Sequence, residues 1–292
     1  MGDGGTGAED AGSTAPTQTQ ALQVIVLGSG GGPDESNTTA FLVRSLASGW
    51  GKGCLVAVDA GVHLSAINRI LEATQPPGLL DGSVSVPHKL ESGPFKGLEL
   101  PHASPGANAA HVLRTLVDAY LITHPHLDHI AGFVINTAGL PGTRPKRLAG
   151  LPSTIAAFKA HIFNNVIWPN LSDENNGAGL VTYSRLVEGG SPALGDGDGR
   201  GYLEISDGLS VKAWGVSHGH CIERHSHRGS ASSSATRYPS FDASPFSGSS
   251  MGAVGMGGLM SGLMSPRSLA RHNSTAPNLA VFLQQQAAAR AS

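Results

Sequence analysis

Thr123-His124-Pro125-His126-Leu127-Asp128-His129 decides how this chain is read. It follows directly on the apolar run Ala119-Tyr120-Leu121-Ile122 and leads into Ile130-Ala131-Gly132-Phe133-Val134-Ile135. The first run, taken to Thr123, predicts a short buried strand and the second a helix. A strand ending in imidazoles and a carboxylate drops them at its carboxyl edge, where open α/β sheets bind their ligands. On extended backbone, residues two apart point the same way, so His124 and His126 can share one ion. Asp128 and His129 fall where the chain turns into the helix and can reach a second. Such a set, with no thiolate, suits zinc or manganese. Two ions about 3.5–4 Å apart can activate a water and clamp a phosphodiester or carbonyl oxygen. The stretch therefore predicts a metal-dependent hydrolase.

Upstream, Leu22 to Leu27 reads as a strand and runs into Gly28-Ser29-Gly30-Gly31-Gly32-Pro33. The dinucleotide fingerprint G-x-G-x-x-G fails there because Pro33 stands at the last glycine. A tight turn into a second strand, Thr39 to Val43, is the better reading. A third strand, Leu55 to Asp59, ends beside Gly61. Taken alone, Asp59 reads as a cap for a helix over Leu64 to Leu71, and secondarily as a carboxylate that orients a ligand histidine. His88 and His102 lie in Pro/Gly-punctuated loops without partner spacing. A helix over Asn108 to Val117 leads to the central motif.

Downstream, Arg147 to Leu151 is strand-like, and Ser153 is placed to cap a helix over Thr154 to Phe163. Val181 to Leu186, Tyr202 to Ile205 and Leu209 to Val216 read as further strands. The last ends in Ser217-His218-Gly219-His220, a second histidine cluster at a strand terminus. His218 is the natural third ligand of the first ion, and His220 is a weaker candidate. From about residue 226 to 278, Ser, Gly, Ala, Pro and Met dominate with little periodicity, a low-complexity composition that does not bury enough apolar surface to order itself. Asn278 to Ala289 is compatible with a short helix. Strands alternating with helices, without an internal repeat, make the ordered part α/β or α+β.

Composition narrows the function classes. A net charge of -2 leaves no basic surplus for a nucleic-acid polymer. Thirteen histidines against two cysteines, Cys54 and Cys221, exclude a disulfide scaffold and point to a reducing compartment. Met1 to Gln20 has neither the basic nor the apolar region of a secretory signal, and no window is apolar enough for a membrane span. A cytoplasmic protein with a disordered leader over residues 1–20, a domain over 21–224 and a flexible 225–292 segment is the expected organisation.

The segments also resemble a family. H-x-H-x-D-H after an apolar strand is the signature of the metallo-β-lactamase fold, an αββα sandwich of hydrolases. More narrowly, the chain is similar to the class II cyclic-nucleotide phosphodiesterases, the low-affinity cAMP type. The similarity rests on Leu27-Gly28-Ser29-Gly30-Gly31-Gly32-Pro33, Val58-Asp59-Ala60-Gly61, the stretch His124 to Gly132, and Val216-Ser217-His218-Gly219. More specific is the run Gly150-Leu151-Pro152 into His161-Ile162-Phe163-Asn164-Asn165 and Ile167-Trp168-Pro169-Asn170. Asn136 departs from it, since the family usually has Ser there. The resemblance implies hydrolysis of a 3′,5′-cyclic nucleotide, cAMP foremost, to the 5′-monophosphate. It implies two divalent ions, zinc foremost, on His124, His126, Asp128, His129 and His218. Asp128 and His129 would stand closest to the chemistry, with Asp59, His161, Asn164 and His220 as supporting or substrate-contacting residues. The bridging Asp and final His that complete the second metal site in the wider fold have no counterpart here. The chain therefore reads as a sandwich lacking its C-terminal portion. Two alternatives stand beside the enzyme: another hydrolase of the same fold, or a non-catalytic remnant holding at most one metal. Oligomeric state is not legible.

Overall fold

The computed structural model describes residues 21–140, 142, 144–217 and 277–285. His218, His220 and nearly all of the Ser/Gly/Met-rich stretch lie outside them. Three strands open the chain: β1 (Leu22–Gly28), β2 (Ala40–Ser45) and β3 (Leu55–Ala60). Helices α1 (Leu64–Thr74) and α2 (Gly78–Asp81) follow, then a small ladder of β4 (His88–Lys89) and β5 (Glu99–Leu100). Helix α3 (Pro105–His111) widens into a π-helical turn, Val112–Leu116, before β6 (Val117–Leu121). Next come α4 (Leu127–Gly139), β7 (Lys146–Gly150), α5 (Pro152–Ala157) and a second π-helical turn, Phe158–Ile162. Strands β8 (Val181–Arg185), β9 (Leu203–Ser206), β10 (Leu209–Ser217) and β11 (Pro277–Gln285) complete the described elements.

The main sheet has the order β1-β2-β3-β6-β7-β8. Its β3, β6, β7 and β8 run parallel, while β2 is antiparallel to both neighbours, so β1 points the same way as β3. A second sheet has the order β11-β10-β9. Alternation along the central strands decides the layering. Leu55, Ala57, Tyr120 and Leu148 face the helices, whereas Val56, Ala119, Leu121 and Ala149 face Ile205, Leu209, Val211 and Ala213 of the second sheet. Both faces of β3 and β6 are buried, as continuous apolar runs require, whereas the edge strand β8 is buried only at Val181. The described residues thus form a helix–sheet–sheet sandwich.

Several expectations are corrected here. Strand β6 starts two residues earlier than its apolar run suggests, because Val117 pairs with Leu55 and Asp118 bulges out of the ladder, its carboxylate paired with Arg144. The helix before it ends sooner, since the wide turn brings Val117 directly beside Leu55. Ser153 caps nothing: Leu151 is the N-cap of α5 and Pro152 takes the first helical position, where its missing N–H costs nothing. The segment read as a C-terminal helix is β11, paired with β10 from Leu209↔Gln285 to Ser217↔Pro277. A partner strand outweighs local propensity.

One core residue yields a prediction. His63, 2% exposed, has no hydrogen-bond partner on either ring nitrogen among the described residues and meets Tyr120 edge to face. Burial, with the Lys146 charge adding to it, pushes its pKa down to about 3. The unfolded chain takes up a proton there below its ordinary value of 6.5, and the folded chain does not until about 3. Between those limits His63 therefore makes stability fall with acidification, by about 1.4 kcal/mol per pH unit. His63→Leu removes the two orphan nitrogens, and denaturant midpoints measured from pH 7 to pH 5 should lose that share of the slope. An unchanged slope would refute the assignment.

Candidate metal centre

The carboxyl edge of the parallel strands gathers three connections: the Gly28–Thr38 loop after β1, the Asp59–His63 turn after β3, and Thr123–His126 after β6. Asp59 organises them. It is 3% exposed and sits at φ 54, a conformation that non-glycine residues adopt at a cost and that clusters at functional sites. Its Oδ1 accepts from the Thr123 N–H at 2.8 Å, and its Oδ2 accepts from the Thr123 hydroxyl at 2.7 Å and from His129 Nδ1 at 2.8 Å. Asp59 therefore caps no helix. The N-cap of α1 is His63, with no side-chain bond. The acceptor is supplied from a distance: Asn136 Oδ1 receives the Leu64 N–H at 3.2 Å. The departure at position 136 thus has a structural use.

These bonds fix ring orientation. A hydroxyl has one proton, and Thr123 gives it to Asp59, so toward His124 Nδ1, 3.0 Å away, its oxygen is the acceptor. The ring proton of His124 then sits on Nδ1 and its Nε2 is bare. Asp59 does the same to His129 directly. One buried carboxylate sets both imidazoles, one through the threonine, as ligand histidines require. Burial alone would lower the His129 pKa. The hydrogen bond from Asp59 and the charges of Asp59 and Asp128 outweigh it, and the net shift is upward.

The donor atoms come in two pairs. His124 Nε2 lies 3.1 Å from His126 Nδ1, and His129 Nε2 lies 3.3 Å from Asp128 Oδ2. Neighbouring donors on a tetrahedral zinc ion, with bonds of about 2.0–2.1 Å, stand about 3.3–3.4 Å apart. The second pair fits that span and the first falls about 0.2 Å short of it. Among the described residues no three His, Cys, Asp or Glu donors converge on one point. The expected third ligand, His218, lies outside them. Cys54 is a core residue whose thiol burial pushes to about 11, so the described site is one of imidazole and carboxylate.

The first turn of α4 is clamped from below. A Cβ on Gly61 would lie 1.9 Å from the Asp128 carbonyl oxygen, and one on Gly132 would lie 2.8 Å from the oxygens of Ala60 and Gly61. The Gly132 N–H donates to Gly61 O at 2.7 Å. Backbone packs on backbone here, which only glycine permits. Gly61→Ala should push Asp128 and His129 out of register and cut zinc affinity at least about tenfold with a lower Tm, as overpacking costs about 1–3 kcal/mol. Chelator competition would test it, and wild-type affinity in that variant would contradict the clamp.

His161 and Asn164 are not brought to the cluster by any contact among the described residues. Both lie beyond α5, on the crossover that returns from the carboxyl end of β7 to the start of β8. Asn164 is occupied locally: its Oδ1 accepts from the N–H groups of Val166 and Ile167, and its Nδ2 donates to Ala160 O. His161 is exposed. Conversely, sequence reading missed Thr123 as a relay and the glycine loop as a neighbour. A Cβ on Gly31 would lie 3.3 Å from Asp128 Oδ2.

A helix–sheet–sheet sandwich with this cluster at the carboxyl edge of its parallel strands is a metallo-β-lactamase-like fold. Residues 23–188 match the family of class-II cAMP phosphodiesterases, and the chain belongs to that family. It is 30% identical over 169 residues to a probable 3′,5′-cyclic-nucleotide phosphodiesterase of Yersinia pestis, covering 58% of this chain and 42% of that protein. It is 30% identical over 193 residues to the 3′,5′-cyclic-nucleotide phosphodiesterase of Schizosaccharomyces pombe, covering 66% and 48%. The chain thus spans a little under half the length of these relatives. The crystal structure of unliganded yeast PDE1 shares the fold, with a TM-score of 0.51 and 23% identity over 70% of this chain and 58% of that one.

Proposed function

We propose that this chain carries the metal-binding face of a 3′,5′-cyclic-nucleotide phosphodiesterase, with cAMP as substrate and AMP as product. The observation that carries the reading is the Asp59 network, which bares His124 Nε2 and His129 Nε2 within two donor pairs at metal-ligand spacing. His124 and His126, with His218, would hold one divalent ion, zinc by donor type; Asp128 and His129 would hold a second. Such ions lower the pKa of a coordinated water and offset charge on the phosphoryl oxygens. In the reaction, water oxygen bonds to phosphorus, the P–O3′ bond breaks, and a proton ends on O3′. Asp128, partly exposed in the first turn of α4, is placed to orient the water and take its proton. Asp59 and Thr123 keep the ligand rings from turning.

A small anionic substrate needs no basic surface, in keeping with the net charge of -2. No helix among the described residues is long and apolar enough to cross a membrane, and the cysteine count suits a cytoplasmic setting. A domain over 21–224 with flanking low-complexity segments remains the organisation we propose.

The test is metal content and AMP formation by the full chain. Zinc-dependent turnover that a chelator abolishes and His126→Ala removes supports the phosphodiesterase. The absence of a three-donor set among the described residues favours a second reading, a non-catalytic metal-binding remnant. One ion per chain without turnover would establish that reading and defeat the first.

A further inference from the structure

A cavity of about 300 Å³ lies along α3 and the π-helical turn that follows it, lined by Ala107, Ala110, His111, Arg114 and Thr115, and closed on one side by His102. Residues 107, 110, 111 and 114 recur at helical spacing, so they share one face. The two alanines make an open floor, and His111 and Arg114 rise from it. This face belongs to the helix leading into the amino end of β6, whereas the metal cluster follows the strand's carboxyl end.

The cavity is built rather than accidental. Asn108, 0% exposed, donates from Nδ2 to His102 O at 2.7 Å and accepts the His102 N–H on Oδ1 at 3.0 Å. Gln75 Oε1 braces the same amide at 3.3 Å. His102 is thereby held opposite His111, with ring centres 6.3 Å apart and planes at 79°. Thr115 Oγ1 stands 3.5 Å from His111 Nδ1. Arg114 forms no ion pair among the described residues, and no carboxylate lines the cavity. Lys146, whose ammonium binds the carbonyls of Leu113, Arg114 and Val117, adds a positive charge at the end of this helix. Two imidazoles, a guanidinium and a hydroxyl thus line one cavity with no carboxylate beside them among the described residues, in a chain of net charge -2.

The spacing of the rings says which guest fits. Two imidazoles on one zinc ion, at about 2.0–2.1 Å bonds and the tetrahedral angle, have centres about 5.2 Å apart. The observed 6.3 Å is too wide for that. An oxyanion accepting at about 2.7–2.9 Å from each ring spans it, and a planar guanidinium suits the same guest. We propose that His102, His111, Arg114 and Thr115 form a binding site for a phosphate-type oxyanion, either inorganic phosphate or the phosphate of a mononucleotide. Burial and the facing His102 hold the His111 pKa down, a pressure that an anion between the rings would relieve.

Histidine C2–H resonances of the full chain, without added metal, would be followed while inorganic phosphate and, separately, AMP are titrated in. His102→Gln and His111→Gln assign the signals. The expected result is saturable movement of both resonances. Arg114→Ala, exposed and free to fold, should weaken phosphate binding about tenfold with Tm unchanged. Equal affinity for phosphate and AMP would mean that the site reads only the phosphate; tighter AMP binding would mean that it also reads the nucleoside. Unmoved His102 and His111 signals, or wild-type phosphate affinity in Arg114→Ala, would overturn the proposal.

Discussion

Asp59→Asn is expected to lower zinc affinity by about 10- to 100-fold while the protein remains folded. The substitution keeps the shape of the side chain but replaces one acceptor oxygen with a donor. An amide facing His129 Nδ1 with N–H would force the ring proton onto Nε2, the atom that must bind metal. An amide turned the other way sets its own N–H against the Thr123 backbone N–H, pushing that backbone away and with it the Thr123 side chain that orients His124. Either orientation spoils one donor pair. Competition with a chelator, alongside near-ultraviolet circular dichroism to check the fold, measures the effect. Zinc affinity within twofold of wild type would show that Asp59 does not set the rings.

Lys146→Met should destabilise the chain by about 3–5 kcal/mol, because it leaves three buried carbonyls without a donor at about 1–3 kcal/mol each. Lys146 is 3% exposed, and its ammonium donates to the carbonyls of Leu113, Arg114 and Val117. These are the end carbonyls of the wide turn before β6, which the helix itself cannot satisfy. Burial lowers the lysine to about 8, still above neutrality, so the charged form does the work. Methionine keeps the stem but leaves three acceptors unpaired. A shift below about 1 kcal/mol in denaturant unfolding would mean that water replaces the ammonium without loss.

The contrast between these two residues shows what a sequence can disclose. The inner parallel strands were legible because both faces are buried, and Leu55–Ala60 reads as a nearly unbroken apolar run; the edge strand Val181–Arg185, buried only at Val181, showed through its Val181-Thr182-Tyr183 start. The cluster was legible because its donors are local, on one strand end and one helix start. Asp59 was misread as a cap because its partners lie 64 and 70 residues downstream. Lys146 gave no signal at all, since a lysine beside a strand looks like a solvated edge residue until its three carbonyls are in place. His102 looked isolated for the same reason: its ring partner, His111, sits on the next helix, and Asn108 fixes the pairing. The segment over Pro277–Gln285 went to helix because its ladder partner, β10, is distant in the chain. What escaped the sequence was whatever depended on a long loop being closed.

The bond from Asn136 to the Leu64 N–H spans 72 residues. During synthesis, α1 therefore leaves the ribosome before the group that completes its first turn exists. At about 5–20 residues per second, several seconds pass before α4 arrives to supply it. Through that interval α1 has a frayed start, and the Asp59–Gly61 turn beneath it has nothing to rest against. The nascent chain gains its first stable crossover and its metal-binding edge in the same event, so any mutation that slows α4 docking also prolongs exposure of the newborn β1–β3 sheet.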